Sequence, residues 1–346
     1  MKVRSLFIAS AFLLTLLAPP LATSFADSGS KSNDRIIDGK SNSRDSHKGV
    51  YSPVKRKSES MDGQMDGQSD ASSAASLGTL AAGQGAVTYH KGGSIIANPR
   101  VYVIWYGDWG KNSCTPEDGR KSTASILMDL VKNIGGSRWN SINATYYQRI
   151  NGQKVSVSED IDYGGCVVDT GSLGFTLDGV TGATVADVVD AQLQQGKLRA
   201  DPSGVYLVLT ATNVNVNGFL TLFCGYHDYY SLPSMDIKYS LIGDPSLNMS
   251  GCVSQLDVSP NGNPAADGMA SVLAHELVEP ISDPLLDAWF DELGFENADK
   301  CAFRYGQVTR AADGSYSNMQ IGDRRFLIQQ NVAANSNMCV SSLRRS

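Results

Sequence analysis

The segment from residue 267 to 280, with the sequence DGMASVLAHELVEP, has the residue types and spacing that best suit chemistry. Within it, His275, Glu276 and Glu279 form a His-Glu-x-x-Glu pattern. Residues four apart lie one above the other on a helix, so His275 and Glu279 are expected to share a face. This is the spacing of the zinc-hydrolase pattern His-Glu-x-x-His, with a glutamate as the second ligand. In that interpretation Glu276 is the catalytic general base, which takes a proton from metal-bound water.

A third ligand has to come from elsewhere in the chain. Glu296 and Asp299 lie 21 and 24 positions beyond His275, a separation that suits a ligand on the next element. We therefore predict a divalent-metal site in which His275 and Glu279 are joined by Glu296 or Asp299. Asp283 is a nearer candidate in sequence, but Pro280 leaves the direction of its side chain open. Zinc is the first choice of cofactor, and the carboxylate ligands also admit harder metals such as manganese or calcium.

Other interpretations of these residues stay open at this stage. The acidic pair of the helix could form ion pairs with an arginine, and the candidates are Arg304, Arg324 and Arg325. His90 and His227 could also supply ligands, although isolated histidines are more often hydrogen-bonded or at the surface. The sequence contains no Gly-x-Ser-x-Gly elbow, and no glycine-rich phosphate loop follows a predicted strand.

The elements that must position this site follow from hydrophobic periodicity. Continuous hydrophobic runs predict buried strands, and spacings of three and four predict amphipathic helices. The predicted strands cover 101–106, 205–209 and 237–242, and the predicted helices cover 123–134 and 185–198. This order predicts a fold of the α/β (or α+β) class, a single mixed-sheet domain with flanking helices. Its most specific form is a zincin-like arrangement around the His-Glu-x-x-Glu helix.

The boundaries of that helix are also predicted. Asp267 is expected to cap its start, because aspartate accepts hydrogen bonds from the free backbone N–H groups of a first turn. Pro280 has no N–H to donate to the carbonyl of Glu276, so the helix is expected to end or kink there.

The amino-terminal quarter of the chain has the features of targeting and linker sequence. Lys2 and Arg4 precede a short apolar stretch and a small-residue cleavage site, which predicts a signal peptide over residues 1–26. Residues 27–84 are polar and poor in aromatic residues, and predict a disordered linker or pro-segment. The folded domain is expected over 85–346. The formal net charge of −6 argues against a nucleic-acid partner.

An exported chain is expected to use its six cysteines for disulfide bonds, because its compartment is oxidising. Six cysteines allow 15 pairings. Proximity along the chain favours Cys114–Cys166, Cys224–Cys252 and Cys301–Cys339. Asn143 and Asn248 begin glycosylation sequons, so a secreted glycoprotein is expected if the host has an endoplasmic reticulum.

Six motifs in one order carry a family resemblance. They are VTYHKGG from residue 87, VYVIWYGDW from 101, CGYH from 224, IGDP from 242, AHELVE from 274 and ADKC from 298. Together they resemble the phosphate-induced-protein family, also called EXORDIUM-like, over residues 85–345. The resemblance implies a secreted, extracellular protein, located in the apoplast or cell wall if it comes from a plant. It also implies a role in growth and cell expansion, without a settled biochemical activity.

Two functions are therefore expected. The first is a secreted extracellular or cell-wall protein of this family that contacts an extracellular protein or a cell-wall polysaccharide. The alternative is a secreted metal-dependent hydrolase, peptidase-like, that uses the His-Glu-x-x-Glu helix. For either we expect no nucleic-acid partner, no membrane span and a monomer.

Overall fold

The centre of the fold is a six-stranded sheet made largely from the hydrophobic runs of the sequence. The computed structural model describes residues 51–53, 85–117, 119–334 and 336–343. The strands of the sheet are β1 (Tyr51–Pro53), β2 (Arg100–Tyr106), β3 (Asp162–Asp169), β4 (Gly204–Thr210), β5 (Phe223–Leu232) and β6 (Met235–Gly243). They lie in the order β1-β5-β6-β4-β2-β3. The pairings among β6, β4, β2 and β3 are parallel, whereas β5 is antiparallel to both β6 and β1.

Helices cover both faces of this sheet. They are α1 (Thr123–Asn133), α2 (Val185–Gln194) and α3 (Pro264–Ser282). Val103 and Trp105 of β2 point into the hydrophobic core on the side of α1 and α3, and Tyr102 and Ile104 point into the core on the side of α2. Because both faces are covered, β2 and β4 are buried along nearly their whole length. The predicted mixed α/β domain with a central sheet and flanking helices is confirmed, but the zincin-like arrangement is not.

The predicted strands and the first helix are confirmed with small changes at their ends. The second helix is shorter than predicted, because it ends at Gln194 rather than at residue 198. Its start is fixed by a capping box between Thr184 and Asp187. Gly196 then adopts a φ of 65°, which is the left-handed conformation that commonly ends a helix.

Short elements complete the domain. The strand pairs are Thr88–Tyr89 with Trp289–Phe290, Tyr147–Ile150 with Gln153–Ser156, Thr176–Leu177 with Asn215–Val216, Thr309–Arg310 with Tyr316–Ser317, Met319–Ile321 with Arg324–Phe326, and Asn331–Ala333 with Met338–Val340. The 3₁₀ turns are Asn140–Thr145, Pro245–Leu247, Met249–Gly251 and Asp299–Cys301.

The predicted leader lies outside the described residues, and so does the predicted linker apart from β1. That strand pairs with β5 at the edge of the sheet. Within the described parts of the chain, no helix combines the length and the hydrophobicity that crossing a bilayer requires.

The three disulfides favoured by chain proximity are all present. Cys114–Cys166, Cys224–Cys252 and Cys301–Cys339 have Cα–Cα distances of 5.7, 5.5 and 5.7 Å. They leave no free cysteine in the described chain. The two sequons differ in their surroundings. Asn143 is fully buried and its amide donates to the carbonyl of Val278, so the folded domain has no room for a glycan there, whereas Asn248 is exposed.

A buried carboxylate ties together the amino-terminal ends of the central parallel strands. Oδ2 of Asp201 accepts hydrogen bonds from Arg100, Tyr102 and Arg199 at 2.9, 2.9 and 2.8 Å. Oδ1 accepts from the backbone N–H of Ser203 at 2.9 Å. Burial by itself raises the pKa of Asp201, but the hydrogen bonds from Arg199, Ser203, Tyr102 and Arg100 outweigh it and hold the pKa well below its usual range.

We predict that Asp201→Asn lowers the free energy of unfolding by about 1–2 kcal/mol at pH 7, because it removes a charge-assisted hydrogen-bond network. A carboxylate with a lowered folded pKa contributes stability above its unfolded pKa of about 3.9, and that contribution is lost as the pH falls through the folded pKa. The difference between variant and parent should therefore shrink below about pH 4. Denaturant unfolding at pH 7 and pH 3 measures it, with the exposed Asp323→Asn as control. If parent and variant differed by the same free energy of unfolding at pH 7 and at pH 3, the lowered pKa of Asp201 would be contradicted.

Candidate metal centre

Helix α3 carries the predicted ligands, and it begins earlier than the sequence suggested. Its N-cap is Asn263, whose side chain accepts from the backbone N–H of Ala266, and Pro264 occupies the first turn. The prediction that Asp267 caps the helix is wrong. Asp267 lies inside the first turn and accepts two hydrogen bonds from Asn261 instead. Proline at the first helical position explains the earlier start, because its fixed φ suits a helix and its missing N–H is not needed there.

An end or a kink was expected at Pro280, and the end is not found, since α3 continues for two more residues to Ser282. The carbonyl of Glu276, which Pro280 cannot satisfy, accepts a hydrogen bond of 2.6 Å from the hydroxyl of Ser240. Ser240 lies on β6, opposite His227 of β5. The carbonyl freed by the proline thus fastens the helix to the sheet beside a histidine.

Gly225 sets how closely α3 approaches the sheet. A Cβ at this position would lie 2.7 Å from Cγ1 of Val272, 2.8 Å from the carbonyl oxygen of Leu241 and 3.0 Å from Cγ of Glu276. Any larger residue would therefore have to push the helix outward. His227 is two residues further along β5 and faces the same side, because side chains alternate along a strand. The close approach at Gly225 brings His227 to the ligands of α3.

Two histidines lie on either side of the carboxylate of Glu279. Nε2 of His275 lies 3.0 Å from Glu279 Oε1 and 3.5 Å from Asp299 Oδ1. Nε2 of His227 lies 2.9 Å from Glu296 Oε2 and 3.5 Å from Glu279 Oε2. These five side chains form two overlapping groups of three, and within each group the ligand atoms lie within 4.8 Å of one another. We call the five residues the His–carboxylate cluster.

The four ligands predicted from the sequence thus lie in one cluster. Glu296 and Asp299 were expected as alternatives for one position beside His275, but they lie beside different histidines. Asp299 lies beside His275, whereas Glu296 contacts His227. His227 stands alone in the sequence, so its spacing gives no signal of a ligand. The glycine two residues before it, which allows the helix to approach, is the feature that could have identified it.

The cluster is enclosed. His275, Glu276 and Glu279 are 0% exposed, Glu296 is 1% exposed, and the side chain of Asp299 is 4% exposed. A hydrolase needs its metal and its general base at a surface that the substrate can reach. The enclosure of Glu276 and of the ligands therefore gives the hydrolase alternative no support.

Two of the three arginines that were candidates to form ion pairs with Glu276 and Glu279 do not support that interpretation. Arg324 is buried elsewhere, where its guanidinium donates to Asp129 at 2.5 Å, and Arg325 is exposed. His90 lies outside the cluster, with its ring stacked on Phe290 at a centroid distance of 3.7 Å.

The hydrogen bonds of Gln329 define the tautomer of His275. Oε1 of Gln329 accepts from the backbone N–H of Phe303 at 2.9 Å, so its amide nitrogen faces Nδ1 of His275 at 2.6 Å. In this network Nδ1 accepts, and the neutral ring carries its proton on Nε2, towards Glu279. A metal bound at Nε2 requires that proton to move to Nδ1 and the amide of Gln329 to turn its oxygen inward.

Burial also determines the charge state on the other side of the cluster. It lowers the pKa of His227 to about 4, which leaves its imidazole neutral at neutral pH. Burial, together with the charges of Asp283 and Glu279, raises the pKa of Glu296 well above its ordinary value. Burial by itself lowers the pKa of His275, but the charge of Glu279 and the neighbouring carboxylate of Asp299 raise it well above its ordinary value. Imidazoles and carboxylates in this combination suit zinc or manganese, and a bound cation would compete with protons for these ligands.

Comparisons with known proteins agree with the motifs. The family profile described as "Phosphate-induced protein 1 conserved region" matches residues 87–342. The chain is 28% identical over 286 residues to Protein EXORDIUM-like 5 of Arabidopsis thaliana, covering 70% of this chain and 73% of that protein. It is 29% identical over 285 residues to Protein EXORDIUM-like 3 of the same plant, covering 70% of this chain and 78% of the relative. No solved structure matches it.

The contact at Gly225 gives a prediction. Gly225→Ala should destabilise the domain by about 1–3 kcal/mol, because the added methyl group overpacks the contact between α3 and β5. Thermal unfolding measures this. Gly110→Ala is the matched control, since a Cβ there would meet nothing within 4 Å. Equal stability of the two variants would contradict the proposed role of the glycine.

Proposed function

Because the chain belongs to the phosphate-induced-protein family, whose members include the EXORDIUM-like proteins, we propose that it is an exported extracellular protein with a divalent cation in its interior. The predicted signal peptide and the pairing of all six cysteines support export. As the family resemblance implies, its role is in growth and cell expansion, in the apoplast or cell wall if the source is a plant. It acts there by contacting an extracellular protein or a wall polysaccharide.

The observation that carries the cation proposal is the unsatisfied chemistry of Glu279. Its Oε2 is fully buried and forms no hydrogen bond with any described residue. Nε2 of His275 lies 3.0 Å from Oε1 of Glu279, but it too forms no hydrogen bond. Buried carboxylates are costly unless they are paired and hydrogen-bonded, and an interior cation supplies that pairing. We assign the cation to His275, Glu279 and Asp299, which form one of the two groups with converging ligand atoms.

The ion has a structural role in this proposal. His275 and Glu279 belong to α3, and Asp299 begins the 3₁₀ turn that contains Cys301. The backbone N–H of Asp299 already donates to Glu279 Oε1 at 3.1 Å. A cation at this point joins the helix to a turn that the disulfide from Cys301 to Cys339 fixes to the last strand pair. The protein therefore uses the cation to hold these elements of the domain together rather than to hydrolyse a substrate.

We predict that the purified full-length secreted chain contains bound zinc or manganese, and that His275→Ala contains about one equivalent less, because one ligand group loses its imidazole. Inductively coupled plasma mass spectrometry after dialysis gives the stoichiometry. His90→Ala is the control, since it removes a histidine outside the cluster. Equal metal content in the parent and His275→Ala would remove the site. A metal-free parent would also remove the site, because the cluster would then be balanced without a cation.

Export gives a separate prediction. In a eukaryotic secretory host the chain should appear in the medium with Asp27 as its first residue, because the small residues before it form the cleavage site. Its cysteines should react with maleimide only after reduction. A chain that lacks residues 1–26 should stay inside the cell. Retention of the full-length chain in the cytosol with Met1 intact would contradict the proposal.

A further inference from the structure

The two oxygens of Glu279 face different histidines. Oε1 lies 3.0 Å from His275 Nε2, and Oε2 lies 3.5 Å from His227 Nε2. A carboxylate that uses both oxygens in this way is the usual bridge between two metal ions, which then lie about 3.5–4 Å apart. The position of Glu279 between the rings is therefore the geometry of a two-metal centre rather than of a single ion.

Each side of the bridge has its own further carboxylate. Asp299 Oδ1 lies 3.5 Å from His275, and Glu296 Oε2 lies 2.9 Å from His227. With metal–ligand bonds of about 2.0–2.2 Å and tetrahedral angles, neighbouring ligand atoms are about 3.4 Å apart. The four nitrogen–oxygen distances, 2.9 to 3.5 Å, need only small adjustments to reach that spacing.

The oxygens on the second side have no other use in the described parts of the chain. Glu279 Oε2 and Glu296 Oε1 are buried without a hydrogen-bond partner there. Both residues are at most 1% exposed, so water does not satisfy these atoms from outside. Two buried carboxylate oxygens beside the imidazole of His227 form a donor set for a cation, and this set shares only Glu279 with the set around His275.

The number of buried carboxyl groups favours two ions over one. Glu276, Glu279, Glu296 and Asp283 are at most 1% exposed, and the side chain of Asp299 is 4% exposed. One dication balances two carboxylates and two dications balance four, so a second ion lowers the net negative charge of the interior further.

We propose that the His–carboxylate cluster binds two divalent cations of the zinc or manganese class, bridged by Glu279. His275 and Asp299 complete the first site, and His227 and Glu296 complete the second. The first site is the cation site of the proposed function, and this inference rests on it. The second site is new here.

Metal stoichiometry separates the two claims. The full-length secreted chain is stripped with chelator, reconstituted with Zn²⁺ and dialysed. We expect two equivalents in the parent and in His90→Ala, and about one in His227→Ala. One equivalent in the parent, unchanged by His227→Ala but lost in His275→Ala, would overturn the second site and leave the proposed function intact. No zinc in the parent would overturn both.

A second measurement needs no variant and so does not depend on whether His227→Ala folds. The parent is reconstituted with Mn²⁺ and its electron paramagnetic resonance spectrum is recorded. Two manganese ions that share a carboxylate couple magnetically, so the expected spectrum is that of a coupled pair. A spectrum of isolated Mn²⁺ at full occupancy would overturn the bridge.

Discussion

The contact of helix α3 with strand β5 is the constraint on which the rest of the site depends. Gly225 lets the helix lie so close that an added methyl group would sit within 3.0 Å of both the helix and the next strand. Ser240 holds the same contact through the helix carbonyl that Pro280 leaves free. Because the helix and sheet meet there, two histidines and three carboxylates meet in the interior. A wider separation would leave the same residues as unrelated buried groups.

The energetic consequence is a set of buried charges that the surrounding chain only partly satisfies. The ion pairs found for Glu279 and Glu296 are with the two histidines. A neutral histidine satisfies one oxygen of a carboxylate and does not neutralise its charge. Protons on His275 and Glu296, whose pKa values are both raised, are one solution, and cations are the other. The two solutions differ in what they do for the fold, because a cation joins elements that are distant in sequence whereas a proton joins only one pair.

The sequence was a good guide to local structure, and it named four of the five residues that meet in the His–carboxylate cluster. The hydrophobic runs at residues 101–106 and 205–209 identified the buried strands, since continuous burial leaves a pattern that needs no tertiary information. The spacing of His275 and Glu279 likewise placed them on one helical face. The start of α3 was missed because Asn263 and Asp267 are both good caps, and the proline beside Asn263 decides between them. The pairing of Glu296 with His227 depends on how the sheet and helix pack, which local periodicity does not contain. Enclosure of the site could not be predicted for the same reason.

The most direct test of this account is the free energy of unfolding of the full-length protein with excess zinc and with excess chelator. An ion that binds only the folded state stabilises it by about 2.7 kcal/mol when its free concentration is one hundred times its dissociation constant. We predict that chelation lowers the free energy of unfolding by at least about 2.7 kcal/mol, and that restoring the metal recovers it. Identical unfolding curves under the two conditions would contradict it, because the carboxylates would then be balanced without a cation.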